Sequence, residues 1–189
     1  MIVDTMLLRL GGESGIDNDS SAGDVLTLSV ARSGYHVHTF RTYPAEIKGG
    51  PVMFQLRAGI HPVPSLGDQL DVLLAFNEEA WELHHGVLRS DGVLIYDPGE
   101  LDRPEGFQGT AYGIPFDEMA RELNLRKGKN VIALGALSAL LGFDFQQLQA
   151  TVKDKYGGKR PQFIESNRMA LLAGYQWVTD NIQEEAVIR

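Results

Sequence analysis

Residues 71–77 read Asp71-Val72-Leu73-Leu74-Ala75-Phe76-Asn77, an apolar run bounded by an acid and an amide. A strand wetted on one side alternates apolar and polar side chains, whereas a strand without alternation is covered on both faces. The run therefore predicts an inner strand sandwiched between helices. The fold expected is α/β, a single three-layer domain around a mostly parallel sheet with helices on both faces.

The segments around that strand fit the same scheme. Residues 5–10 form a short apolar strand that runs into Gly11-Gly12, read as the start of a tight loop. Ser20 or Ser21 is placed to cap a helix over about 22–33, with Val25, Leu26, Leu28, Val30 and Ala31 as its apolar surface. Gly34 ends it, and residues 35–40 make a second strand, completing one right-handed βαβ unit. Residues 42–50 are irregular, and 52–58 alternate as a half-exposed strand at the sheet's flank. Asn77 is positioned to cap a helix over 78–85, and 93–96 is another short strand closed by Asp97-Pro98-Gly99. Residues 101–113 read as loop, followed by helices over 116–123, 130–141, 144–156 and from 163 or 166 towards 181. The 130–141 segment is apolar on nearly every side, so it belongs between layers.

Composition bounds the function. The chain has 189 residues, 43% apolar, with 17 basic against 25 acidic side chains and a formal charge of −8. That balance suits a folded, soluble protein and disfavours nucleic acid or an anionic membrane as partner. There is no cysteine, so disulfides, thiolate metal sites, cluster ligation and a cysteine nucleophile are excluded. The first residues do not read as a signal peptide, and the most apolar stretch, 131–141, is too short to cross a bilayer. Any electrons the protein helps to move must pass through another chain.

Gly11-Gly12, Asn77 and Asp97 fall beyond the carboxyl ends of expected strands, the usual ligand edge of an open α/β sheet. The run Gly11-Gly12-Glu13-Ser14-Gly15-Ile16-Asp17-Asn18-Asp19 precedes a helix start, which suits a small anion at Gly12, Ser14 and Gly15. A purely structural turn is the other reading, and it is favoured by the acids, which repel phosphate, and by the lack of dinucleotide or P-loop spacing. Tyr43-Pro44-Ala45-Glu46-Ile47-Lys48-Gly49-Gly50 sets two glycines beside a cation, which permits close approach of backbone to a ligand or partner. Arg41, Lys48 and Arg57 form a candidate basic spot; a solvated turn is the alternative. His36 and His38 share a strand face but complete no metal-ligand pattern, and Trp81 and Trp177 read as core or interface anchors. No catalytic constellation stands out.

Taken in order, residues 7–15, Ala22-Gly23-Asp24-Val25-Leu26, Gly34-Tyr35-His36-Val37, the 43–50 loop, 71–77, Gly92-Val93-Leu94-Ile95-Tyr96-Asp97 and 130–143 resemble a known family. It is the gamma component of the 2-oxoacid:ferredoxin (flavodoxin) oxidoreductases, and the resemblance spans nearly the whole chain, 1–189. It implies a cytoplasmic complex with alpha and beta subunits and, through them, ferredoxin. Thiamine diphosphate and iron–sulfur clusters would lie in those partners, and coenzyme A would receive the acyl group. This chain would hold no cofactor alone and perform no catalysis, while helping to shape the active-centre and coenzyme A region. Arg41, Tyr43, Lys48, Gly49 and Gly50 are the residues carried into that role, with Gly12, Ser14 and Gly15 from the glycine loop. Lys48 stands where the family usually has Arg, keeping the charge and losing the two-pronged geometry. Self-pairing of the isolated chain is expected if the partner-facing surface is apolar. An independent nucleotide- or coenzyme A-binding domain, or a structural or regulatory assembly protein, is the alternative.

Overall fold

The computed structural model describes residues 4–13, 22–42, 50–125, 128–157 and 164–182. Its strands are β1 (Thr5–Glu13), β2 (His36–Thr42), β3 (Pro51–Gly59), β4 (Leu70–Ala75), β5 (Leu88–Tyr96) and β6 (Thr110–Gly113). They form one sheet in the order β2-β3-β1-β4-β5-β6. The pairs β1–β4, β4–β5 and β5–β6 are parallel, and β3 runs antiparallel to both of its neighbours. The helices are α1 (Ala22–Arg32), α2 (Glu78–His84), α3 (Phe116–Glu122), α4 (Lys129–Leu141), α5 (Phe145–Gly157) and α6 (Ile164–Asn181).

Strand alternation divides the interior into two clusters, one on each face. Met6, Leu8, Leu10, Val72, Leu74, Val93 and Ile95 meet α1, α3, α4, α5 and α6 in the larger one. Leu7, Leu73, Ala75, Leu94 and Tyr96 meet Ala80 and Trp81 of α2 and the loop residues Leu101 and Phe107 in the smaller. The uninterrupted run 72–76 is thus buried on both sides. The three-layer, largely parallel α/β architecture is as expected. Asn77 does cap α2, its side-chain oxygen accepting from the Ala80 N–H at 2.9 Å. α4 lies between layers as its composition requires, with only Lys129, Asn130 and Ala139 partly exposed.

Four local expectations are corrected. Gly11-Gly12 is strand, not loop, because β3 pairs with β1 residue for residue from Thr5–Gly59 to Glu13–Pro51. β3 sits inside the sheet and not at its flank, so β1 and β2 are parallel but not adjacent. The wetter look of β3 comes from Arg57, Met53 and Gln55; Gln55 is 3% exposed and bonded to Leu66 O at 3.1 Å. β6 lies within the stretch read as loop, too short and glycine-flanked to show a period. On α1, Leu28 is 43% exposed, while Gly23 and Ser29 are buried. Among the described residues no helix is long and apolar enough to cross a membrane.

Candidate functional site

The carboxyl ends of β1 and β2 and the start of β3 meet at one edge of the sheet, since Gly12 faces Val52 and Thr42 faces Met53. Of the residues proposed for a ligand, Gly12, Arg41 and Gly50 are gathered there. Gly12 is paired in the ladder with Val52, so it is not part of an open anion loop. Gly50 has φ 92°, a conformation that side-chain-bearing residues rarely adopt, immediately before β3 begins. Ser14, Gly15, Tyr43, Lys48 and Gly49 lie outside the described residues.

Alternation turns Arg41 towards α1, on the same face as its partner Phe54, with the guanidinium carbon 5.2 Å from that ring's centre. Gly23 in the first turn of α1 lets the helix close on Phe54: a Cβ there would lie 2.4 Å from the ring. The next residue, Asp24, is thereby set against Arg41 and forms an ion pair with it. Lys155, near the end of α5, reaches the other Asp24 oxygen at 3.1 Å. Partial burial pushes the Asp24 carboxyl up, but hydrogen bonds from Arg41 and Lys155 outweigh it and hold the group below the usual carboxylate range. Two cations from separate elements therefore converge on one carboxylate at the ligand edge. Lys155 was invisible to sequence reading because it is 131 residues from Asp24. The expected basic spot of Arg41, Lys48 and Arg57 does not form as read. Arg57 faces the opposite side of the sheet and donates to Ser65 O and Oγ at 3.0 and 2.7 Å.

The other strand-end residues are structural. Asp97, 1% exposed, accepts from the Gly99 N–H at 3.0 Å and from the Asp117 N–H at 2.8 Å. It thereby holds the turn after β5 to the first turn of α3. Lys129 Nζ closes this node, 3.0 Å from Asp117 Oδ2 and 3.3 Å from Phe76 O. The open cleft beside it, about 680 Å³, is lined by Asp97, Glu100, Asp117 and Glu118 with Arg121. A hydrogen bond with Asp117, together with burial, raises the Glu100 carboxyl. The cleft is acidic and ill-suited to phosphate. Among the described residues no three His, Asp or Glu side chains converge on a metal position. His38 lies 3.4 Å from Val63 O, and Trp81 packs edge-on against Phe107 at 5.7 Å.

The sequence profile of the family described as "Pyruvate ferredoxin/flavodoxin oxidoreductase" matches residues 8–177. Among curated relatives, the chain is 26% identical over 93% of its length to 31% of a Mycobacterium tuberculosis 2-oxoglutarate oxidoreductase subunit, KorA. It is 26% identical over 89% of its length to 86% of the 2-oxoglutarate synthase subunit KorC of Archaeoglobus fulgidus. Hence it spans about a third of some relatives and most of others. Among solved structures, it superimposes with TM-score 0.88 and 34% identity on a 2-oxoglutarate:ferredoxin oxidoreductase from Magnetococcus marinus, covering 96% of this chain and 32% of that one. The gamma subunit of a keto/oxoacid ferredoxin oxidoreductase from Geobacter sulfurreducens shares the fold at TM-score 0.80, with 21% identity over 93% of this chain and 97% of that one. The fold, the ordered motifs and the match over 8–177 place this chain in the pyruvate ferredoxin/flavodoxin oxidoreductase family.

Proposed function

We propose that the chain is the gamma component of a coenzyme A-acylating 2-oxoacid oxidoreductase, non-catalytic alone and completing the active-centre region of its partners. The observation that carries this reading is the likeness to 32% of one chain of the Magnetococcus marinus enzyme, which is described with 2-oxoglutarate, coenzyme A and succinyl-CoA bound. Thiamine diphosphate and clusters are assigned to the alpha and beta partners, in keeping with a sequence that has no cysteine.

Coenzyme A supplies the thiol that takes the acyl group. Its phosphates call for cations, and a guanidinium and an ammonium are the donor set for that task. Arg41 and Lys155, held by Asp24 at the sheet edge, are the residues we assign to it. Tyr43, Lys48, Gly49 and Gly50, with Ser14 and Gly15, remain proposed neighbours of the ligand. Gly12 drops from direct contact because its backbone is engaged with β3.

The test is reconstitution. Alpha and beta chains with this chain should oxidise a 2-oxoacid with coenzyme A and reduce ferredoxin, and this chain alone should give no turnover. Full oxidation by the partners without it defeats the proposal.

A further inference from the structure

Arg9 interrupts an apolar strand. Leu8 and Leu10 enter the main core, whereas Arg9 faces the other side of the sheet. Its Nε and Nη2 both donate to Gln55 Oε1, at 3.0 and 2.6 Å, and Nη1 lies 3.2 Å from Nδ1 of His84 on α2. A guanidinium has only donors, so His84 Nδ1 is the acceptor and the neutral ring carries its proton on Nε2. Arg9 is therefore a half-buried cation held by two neutral groups. Among the described residues no carboxylate lies within 4.0 Å of it, in a chain with 25 acids. Desolvating a cation without a counter-charge is costly. Three of its five N–H groups are engaged by Gln55 and His84, which leaves two for a further acceptor.

The surroundings say what kind of acceptor. Gln55 is flanked across the sheet by Arg9 on one side and Phe40 on the other, all on one face. Phe40 is 45% exposed, and Leu83, beside His84 on α2, is 54% exposed. Phe40 thus shares a sheet face with a cation that has no carboxylate partner among the described residues, and an exposed apolar ring beside such a charge has the anatomy of a protein interface, where the charge pair is desolvated on docking. We infer that Arg9 and His84 form the receptor for an Asp or Glu side chain of a partner polypeptide that packs on this face of the sheet. The inference rests on the assembly reading above and adds the face and the contact.

The test is binding of this chain to the thiamine diphosphate-binding and cluster-bearing chains of the same oxidoreductase, by sedimentation or interferometry. Arg9→Gln and His84→Asn should each weaken assembly at least tenfold, with less salt dependence than the parent chain. The His84 ring, followed by NMR, should titrate at higher pH in the complex than alone. Failure of the unaltered chain to assemble overturns the proposed function and this inference with it. Assembly retained in full by folded Arg9→Gln overturns this inference alone. If that variant does not fold, His84→Asn and the titration of the unaltered chain decide. An unmoved His84 midpoint, or an isolated chain in which His84 already titrates near the ordinary value because its own acid sits on Arg9, overturns it too.

Discussion

Gly135 and Gly174 face each other across the crossing of α4 and α6. A Cβ on Gly135 would lie 2.0 Å from Leu171 O, and one on Gly174 would lie 1.9 Å from Ile132 O. Each helix thus rests on the other's backbone, an approach open only to glycine. Gly135→Ala or Gly174→Ala gains about 1 kcal/mol of helix propensity but must drive the helices apart. Because the clash is with backbone and not with a movable side chain, an overpacking cost at the upper end of the usual range, about 2–4 kcal/mol, leaves a net loss of about 1–3 kcal/mol. For a domain of this size that lowers Tm by roughly 2–12 °C, and the double variant should cost less than the sum because one separation relieves both. Thermal and urea melts check this.

Asp97 supports a separate prediction. Asp97→Asn keeps the shape but turns one acceptor oxygen into a donor against either the Gly99 or the Asp117 N–H. One buried donor is left unsatisfied, for a loss of about 1–3 kcal/mol. Hydrogen exchange should show opening of the turn after β5 and of the start of α3 before the rest of the sheet. An unchanged melting curve would show that the node is dispensable.

His84 gives a pH signature. Burial and the adjacent Arg9 charge lower its pKa from 6.5 to about 4. Between those values the unfolded chain binds a proton that the folded chain does not, so stability must fall as pH drops from 6.5 towards 4. Above 6.5 the contribution is complete. His84→Asn should flatten that part of the stability–pH curve in the isolated chain, measured by urea denaturation across the window.

Arg41 and Lys155 give a kinetic one. In the reconstituted enzyme, Arg41→Gln and Lys155→Gln should raise KM for coenzyme A by about tenfold each, with kcat for 2-oxoacid oxidation little changed. That is the pattern of lost ground-state binding. An effect on kcat alone would move both residues out of the phosphate-binding role.

The layers were legible in the sequence because burial on two faces leaves a composition without alternation, as in residues 72–76 and 131–141. The cap at Asn77 was legible because capping is local. What escaped reading is what depends on partners far along the chain. Gly11-Gly12 looks like a turn until Met53 and Val52 are placed opposite, and Gly11 then has its own reason to be small, with His84 Cδ2 2.9 Å from where a Cβ would sit. Arg9 and Gln55 are ordinary polar residues in a strand, and only the register between β1 and β3 joins them. Of the candidate site, Arg41 and Gly50 were legible and lie at the sheet edge. Lys155 was not, since nothing in the sequence of α5 announces that its end reaches α1.

β3 is fixed by nine register pairs with β1 and seven with β2. Removing β3 would therefore strip both of its neighbours of their antiparallel partner at once. Amides along β1, β2 and β3 should accordingly exchange in one shared opening event, with β2, which pairs with β3 alone, exposed whenever β3 leaves.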